Sequence, residues 1–206
     1  MKEKKFAKKL IAVMTVLFLA ATAFGCAEKE QADQESDVSV SKGNKTIVIY
    51  FSWSGHLRQM SQWVADEAKA DVVRILAKED YPEDYDETTD RAKKELDEGI
   101  RPEIKENISD KDLKQYDTVV FGYPVWWYDL PMPMWTFLES HDLSGKTVVP
   151  MFSHEGSSDG ADSLDTLKKL AKGADVKTDV ALSVRGTEVK DSEDEVRKWA
   201  KENVVK

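Results

Sequence analysis

Thr46-Ile-Val-Ile-Tyr-Phe51 is an unbroken run of β-branched and aromatic residues. Such a run fits a strand buried on both faces, because a strand with one wet face alternates apolar and polar residues. The pattern recurs at Asp71-Val-Val-Arg-Ile-Leu76, Asp117-Thr-Val-Val-Phe-Gly-Tyr123 and Thr147-Val-Val-Pro-Met-Phe152, with a fifth strand near Val180 to Val184. Helical stripes lie between them. Met60, Trp63, Val64 and Ala68 mark one within Arg58 to Ala70; Met134, Phe137 and Leu138 follow a helix start at Pro131 and Pro133; Leu164, Leu167 and Leu170 line a third. A last helix carries Val196, Trp199, Ala200 and Val204, with Ser192 and Glu195 spaced as a capping box. This alternation specifies a doubly wound α/β fold with helices on both faces of a parallel sheet. Such sheets bind ligands at the carboxyl ends of their strands, so function is expected in the loops after strands one, three and four.

Ala77 to Lys114 is an excess of chain between strands two and three, with Tyr81-Pro-Glu-Asp-Tyr85 and a charged helix around Asp86 to Glu98. Glu87 with Arg91 and Asp90 with Lys94 have i,i+4 spacing, and only Ala92 and Leu96 are apolar, so the segment reads as a solvated surface helix. The alternative is a lid or partner surface over the site, with Tyr81 or Tyr85 reaching a ligand.

Ahead of the first strand the pattern changes. Lys2, Lys4, Lys5, Lys8 and Lys9 precede an uncharged, mostly apolar run from Leu10 to Gly25. This is the layout of an export signal, too short for a comfortable permanent span of about 20 residues. Ala23-Phe-Gly-Cys26 resembles the lipobox of bacterial lipoproteins. That resemblance implies cleavage before Cys26, lipidation of its thiol and an extracytoplasmic, membrane-anchored protein. Cys26 is the chain's one cysteine, which excludes an intramolecular disulfide framework and a thiolate zinc site. Residues 26–44 are acidic and poor in large apolar side chains, and read as a tether spanning roughly 25 Å. The domain is then 45–206. Loss of residues 1–25, with five Lys and one Glu, takes the net charge from −9 to −13. So acidic a total argues against a nucleic-acid surface.

The loop after strand one reads Ser52-Trp53-Ser54-Gly55-His56-Leu57 and runs into a helix. Hydroxyls, a glycine and the free amides of a helix start make a cradle for phosphate. The loop is neither a dinucleotide fingerprint nor a P-loop. After strand three, Pro124-Val125-Trp126-Trp127-Tyr128 puts three aromatics in a row. Their side chains diverge, so one packs inward and at least one is exposed or stacks on a planar ligand. After strand four, Phe152-Ser153-His154-Glu155-Gly156-Ser157-Ser158 supplies amides, hydroxyls and a carboxylate suited to the polar edge of a heterocycle.

Taken together and in this order, the three loops resemble those of the flavodoxin-like family across about residues 45–206. Tyr81-Pro-Glu-Asp-Tyr85, Phe137-Leu-Glu-Ser140, Asp142-Leu-Ser-Gly-Lys146 and Val184-Arg-Gly186 resemble a bacterial subgroup called simply flavodoxin. The resemblance implies a five-stranded sheet in the order 2-1-3-4-5 and non-covalent FMN. The phosphate would lie on Ser52, Ser54, Gly55, His56 and Leu57 beside Trp53. The ring would lie between Pro124, Val125, Trp126, Trp127 and Tyr128 on one side and Ser153, His154, Glu155 and Gly156 on the other. Two departures stand out: His56-Leu57 replaces the usual Asn-Thr, so a phosphate hydroxyl is gone, and the loop after strand four brings no aromatic residue to the outer ring face.

Two redox readings follow. One is an electron carrier serving a redox partner protein or a small electron acceptor. The other is an NAD(P)H-dependent reductase of quinones or similar acceptors at the open ring face. A flavin-free binding module on the same fold is a third possibility. A hydrolase built from Ser52 or Ser54 with His154 lacks the nucleophile elbow, and adjacent His154-Glu155 is a poor metal pair.

Overall fold

The computed structural model describes residues 46–105 and 107–205. The expected signal, Cys26 and the tether lie outside them. Strands β1 (Thr46–Tyr50), β2 (Asp71–Arg74), β3 (Thr118–Pro124), β4 (Thr147–His154), β5 (Asp175–Val176) and β6 (Leu182–Arg185) form one parallel sheet. Its order is β2-β1-β3-β4-β5, with β6 also pairing β4. This is the doubly wound α/β arrangement that the alternating pattern specifies, in the strand order that the resemblance implies.

Successive residues of a strand face opposite sides of the sheet, and each side builds its own core. Ile47, Ile49, Val119, Phe121 and Phe152 pack under Met134, Phe137 and Leu138 of α4 (Met132–Ser140) and Leu167 of α5 (Ser163–Leu170). Val48, Tyr50, Val120, Val149 and Met151 meet Leu57, Met60 and Val64 of α1 (His56–Ala68) and Val196, Trp199 and Ala200 of α6 (Glu193–Asn203). The predicted apolar stripes face these cores, with Ala68, Leu164 and Leu170 only partly buried. Each fully buried Val, Leu, Ile or Phe contributes about 1.5–3 kcal/mol.

The structure corrects the sequence reading at five places. The fifth strand is split. β5 pairs Val176 with Val148, the chain leaves the ladder through a 3₁₀ turn at Thr178–Val180, and β6 rejoins with Leu182 opposite Met151. Pro150 accounts for the gap. Lys177 N–H donates to Val148 O on the fifth-strand side, and Val125 N–H donates to Ser153 O on the β3 side. Alternation puts residue 150 on the fifth-strand side, where proline has no N–H to offer.

The capping box does not form. The chain enters α6 from a 3₁₀ segment, Gly186–Asp191, and Ser192 Oγ donates back to the carbonyls of Glu188 and Val189 at 2.9 and 3.1 Å. α1 starts two residues earlier than its apolar stripe indicates, and a short helix α3 (Asp110–Leu113) precedes β3. The insert helix α2 (Tyr85–Glu98) pairs Arg91 with Glu95 and Lys93 with Asp97, not the expected Glu87–Arg91 and Asp90–Lys94. Among the described residues, no helix is long and apolar enough to cross a membrane.

Candidate functional site

A cavity of about 690 Å³ opens at the carboxyl ends of β1, β3 and β4. Its walls come from the three predicted loops and from α2. Ser52 is buried, and its Oγ accepts a hydrogen bond from Gly55 N–H at 3.1 Å. The hydroxyl therefore shapes the turn rather than facing the cavity. Gly55 has φ +92, a left-handed conformation that side chains disfavour, and it places α1 with its first-turn amides free of any side-chain cap. These amides and the positive end of the helix dipole suit an anion. Leu57 buries its side chain in the core, so only its backbone can serve such a ligand.

After β3, Trp126 and Asp129 exchange backbone hydrogen bonds at 2.9 and 3.0 Å. The two residues between them, Trp127 (φ 48) and Tyr128 (φ 68), are both left-handed. This is the tight two-residue turn normally made by Asn-Gly. Each non-glycine residue here costs about 1–2 kcal/mol, and such strain marks sites where side-chain placement matters. The turn throws Trp127 and Tyr128 outward, 42% and 65% exposed, while Trp126 packs inward. Trp126 meets Phe51 and Tyr81 edge-on, with ring centroids 5.3 and 5.2 Å away.

Asp129 locks the turn. Its carboxylate accepts from Leu130 N–H at 2.7 Å and from Thr166 Oγ at 3.0 Å, and Asp162 N–H donates to Tyr128 O. Burial raises the Asp129 pKa above the ordinary carboxylate value, against the pull of these hydrogen bonds.

The insert helix is one wall of the cavity, contributing Tyr85, Thr88, Thr89 and Ala92. Polar bonds seat it. Trp53 Nε1 and Thr88 Oγ1 both donate to Pro82 O, at 2.8 and 2.7 Å, and Trp127 Nε1 donates to Thr89 O at 3.0 Å. Glu95, 5% exposed, accepts from Arg91 at 2.8 Å and from the Tyr81 hydroxyl. Burial, and then the Glu95 carboxylate, push the Tyr81 pKa well above its usual value.

A flavodoxin family model matches residues 45–203. The chain belongs to the flavodoxin family. It is similar to candidate flavoproteins from Bacteroides eggerthii (30% identity, TM-score 0.64, 79% of this chain and 99% of that one) and Bacteroides uniformis (29%, 0.66, 78% and 99%). A flavoprotein from Lactobacillus acidophilus, solved in complex with FMN, is 25% identical over 72% of this chain and 97% of its own, with a TM-score of 0.55.

Of the residues predicted for a flavodoxin-type site, Trp53, Ser54, His56, Pro124, Val125, Trp126, Trp127, Tyr128, Ser153, His154, Glu155 and Gly156 line the cavity. Ser52, Gly55 and Leu57 stand behind it. The solvated-helix reading of the insert gives way to the alternative in part: Tyr85 lines the cavity, whereas Tyr81 lies under it. Sequence reasoning missed Thr88, Thr89 and Ala92, whereas Ser157, within the loop expected after strand four, does line the cavity. Asp84, whose side chain accepts from Glu87 N–H at 3.0 Å, was a legible start signal for α2.

The loop after β4 adds His154, whose Nδ1 is buried with no hydrogen-bond partner among the described residues. The residue lines the cavity although this nitrogen is itself covered, and a buried unpaired nitrogen is a group whose partner is unaccounted for. Glu155 and the His56 ring crowd the backbone of Gly186, where a Cβ would meet the Glu155 carboxylate and lie 2.8 Å from the imidazole. Arg185 approaches Glu155 at 3.6 Å.

Proposed function

We propose that this protein binds FMN in the cavity and transfers electrons at a membrane surface, to which lipidated Cys26 tethers it on the extracytoplasmic side. The observation that carries the reading is one cavity with an uncapped helix start at one end and strained, outward-turned aromatics along one wall. An uncapped helix start suits a phosphate and aromatic walls suit a planar ring. The donor set fits FMN. Amides of residues 53–57 with Ser54 and His56 would hold the phosphate, the 124–128 turn would flank the ring, and His154 with the 153–157 backbone would meet its polar edge. The relative solved with FMN supports the same assignment.

FMN, when bound, supplies one- and two-electron chemistry. The chain's own groups would set its potential and its access. A mature net charge of −13 disfavours added negative charge in the site and favours basic partners. The partner would be a redox protein or a small electron acceptor.

A second reading is an NAD(P)H-dependent reductase of quinones or similar acceptors. It is favoured by the absence of Phe, Tyr and Trp among the cavity-lining residues from His154 to Ser157, which leaves room beside the ring.

The test is the visible spectrum of the purified full-length chain, with mass spectrometry of any released ligand. A yellow protein that releases FMN is expected. A colourless chain that ignores added FMN would overturn both redox readings and favour the flavin-free module. Anaerobic NADH or NADPH separates the first two: rapid direct reduction with quinone turnover supports the reductase, and no direct reduction supports the carrier.

A further inference from the structure

We propose that Arg74 is the counter-charge and brace for the phosphate of FMN, and that it sets the preference for a phosphate monoester over the phosphate-free flavin. The inference rests on the FMN reading above. Arg74 ends β2, opposite Tyr50 of β1 in the sheet, so its side chain lies beside the loop that follows β1. Its Nη2 donates to Ser52 O at 2.9 Å. Its Nε is buried with no hydrogen-bond partner, and no carboxylate among the described residues pairs with it.

An arginine held in this way is an unusual expense for a fold. A partly buried cation without a counter-ion is destabilising unless an anion compensates it. Here the neighbouring element is an anion cradle. Glu155, which shares the space beside Gly186 with His56, lies 3.6 Å from Arg185. Arg74 is thus left as uncompensated positive charge beside the loop.

The brace follows from peptide geometry. A trans peptide directs its N–H opposite to its C=O. By holding Ser52 O, Arg74 turns the Trp53 N–H away from itself, and neither that amide nor the Ser54 amide donates to another described group. Arg74 therefore orients loop amides and adds a charge behind them. His56-Leu57 supplies no hydroxyl where the family's Asn-Thr does, so this added charge stands in for a lost ligand. The ligand class it favours is a doubly charged phosphate monoester. Arg74 acts through the loop and is a positioning residue.

The experiment titrates the full-length protein with FMN and with riboflavin, read by flavin fluorescence, for wild type, Arg74→Gln, Arg74→Lys and Arg74→Met. Loss of one charge behind the amides that would hold a phosphate, in a partly screened site, predicts FMN binding weakened about tenfold in Arg74→Gln. Riboflavin binding is expected to stay within about twofold, with most FMN affinity regained in Arg74→Lys. Equal loss for both flavins, or no loss of FMN affinity, overturns the proposal. Arg74→Met keeps the apolar stem should Gln disturb the strand. The wild type alone supplies a necessary condition if no variant folds: 0.05 to 0.5 M salt must weaken FMN more than riboflavin, and an equal response overturns the proposal. A wild type that binds neither flavin fails the FMN reading itself, before any variant is compared.

Discussion

Glu95 accepts a hydrogen bond from Arg91 Nε at 2.8 Å, and Arg91 in turn lies 4.1 Å from the centre of the Tyr81 ring. Arg91 also donates to the carbonyls of Asp80 and Glu79 at 2.9 and 3.1 Å. One buried carboxylate thereby fixes the loop before α2 to the helix itself, and the helix to the cavity. Glu95→Ala leaves a cation and a hydroxyl without their acceptor. It is expected to cost about 2–3 kcal/mol in urea unfolding, below the range for a fully buried pair because Arg91 is partly exposed and keeps its carbonyl partners. It should also weaken FMN binding, since Tyr85, Thr88 and Thr89 lose their support. A change under about 0.5 kcal/mol would show that α2 is seated by something else.

Tyr128 pairs a strained backbone with an exposed side chain. Tyr128→Gly removes the left-handed penalty and little buried area, and is expected to raise stability by up to about 1 kcal/mol in denaturant unfolding. The same change should weaken FMN binding if the ring flanks the flavin. Lower stability with unaltered FMN affinity would contradict both halves.

Gly186 has ordinary backbone angles, so alanine is admissible there, yet its Cβ must displace both the Glu155 carboxylate and the His56 ring. Gly186→Ala is expected to keep stability within about 1 kcal/mol while lowering FMN affinity. The double variant Gly186→Ala with Glu155→Ala should recover part of that loss. Unchanged affinity in the single variant would remove this contact from the site.

The tyrosines predict alkaline behaviour. Burial, reinforced at Tyr81 by Glu95 and at Tyr116 by Asp71, raises the pKa of Tyr81, Tyr116 and Tyr123 above the free value. A folded pKa above the unfolded one contributes stability that is complete below about pH 10 and is lost as pH climbs toward the folded values. Absorbance at 295 nm with circular dichroism should show these three of six tyrosines ionising only as the chain unfolds. Six tyrosines titrating near pH 10 with an intact fold would contradict the burial.

Most of the fold was legible because apolar pattern and burial report the same quantity: the runs at Thr46, Thr118 and Thr147 became the central strands. What escaped depends on polar bonds and local competition. Only Ala92 and Leu96 are apolar in α2, and the bonds that seat it, from Trp53 and Thr88 to Pro82 and from Trp127 to Thr89, leave no periodic trace. Ser192 had the spacing of a cap, but the preceding 3₁₀ turn offered its hydroxyl closer carbonyls. In the site, spacing identified the three loops. It could not distinguish Ser52, which folds the loop, from Ser54, which faces the cavity.

Titration of the FMN-free, full-length chain with FMN, followed by quenching of flavin fluorescence, tests the central claim most directly. One FMN bound per chain is expected, with tighter binding than riboflavin and weaker binding after Trp127→Ala. No saturable quenching, or quenching indifferent to both the phosphate and Trp127, would contradict the assignment of this cavity to FMN.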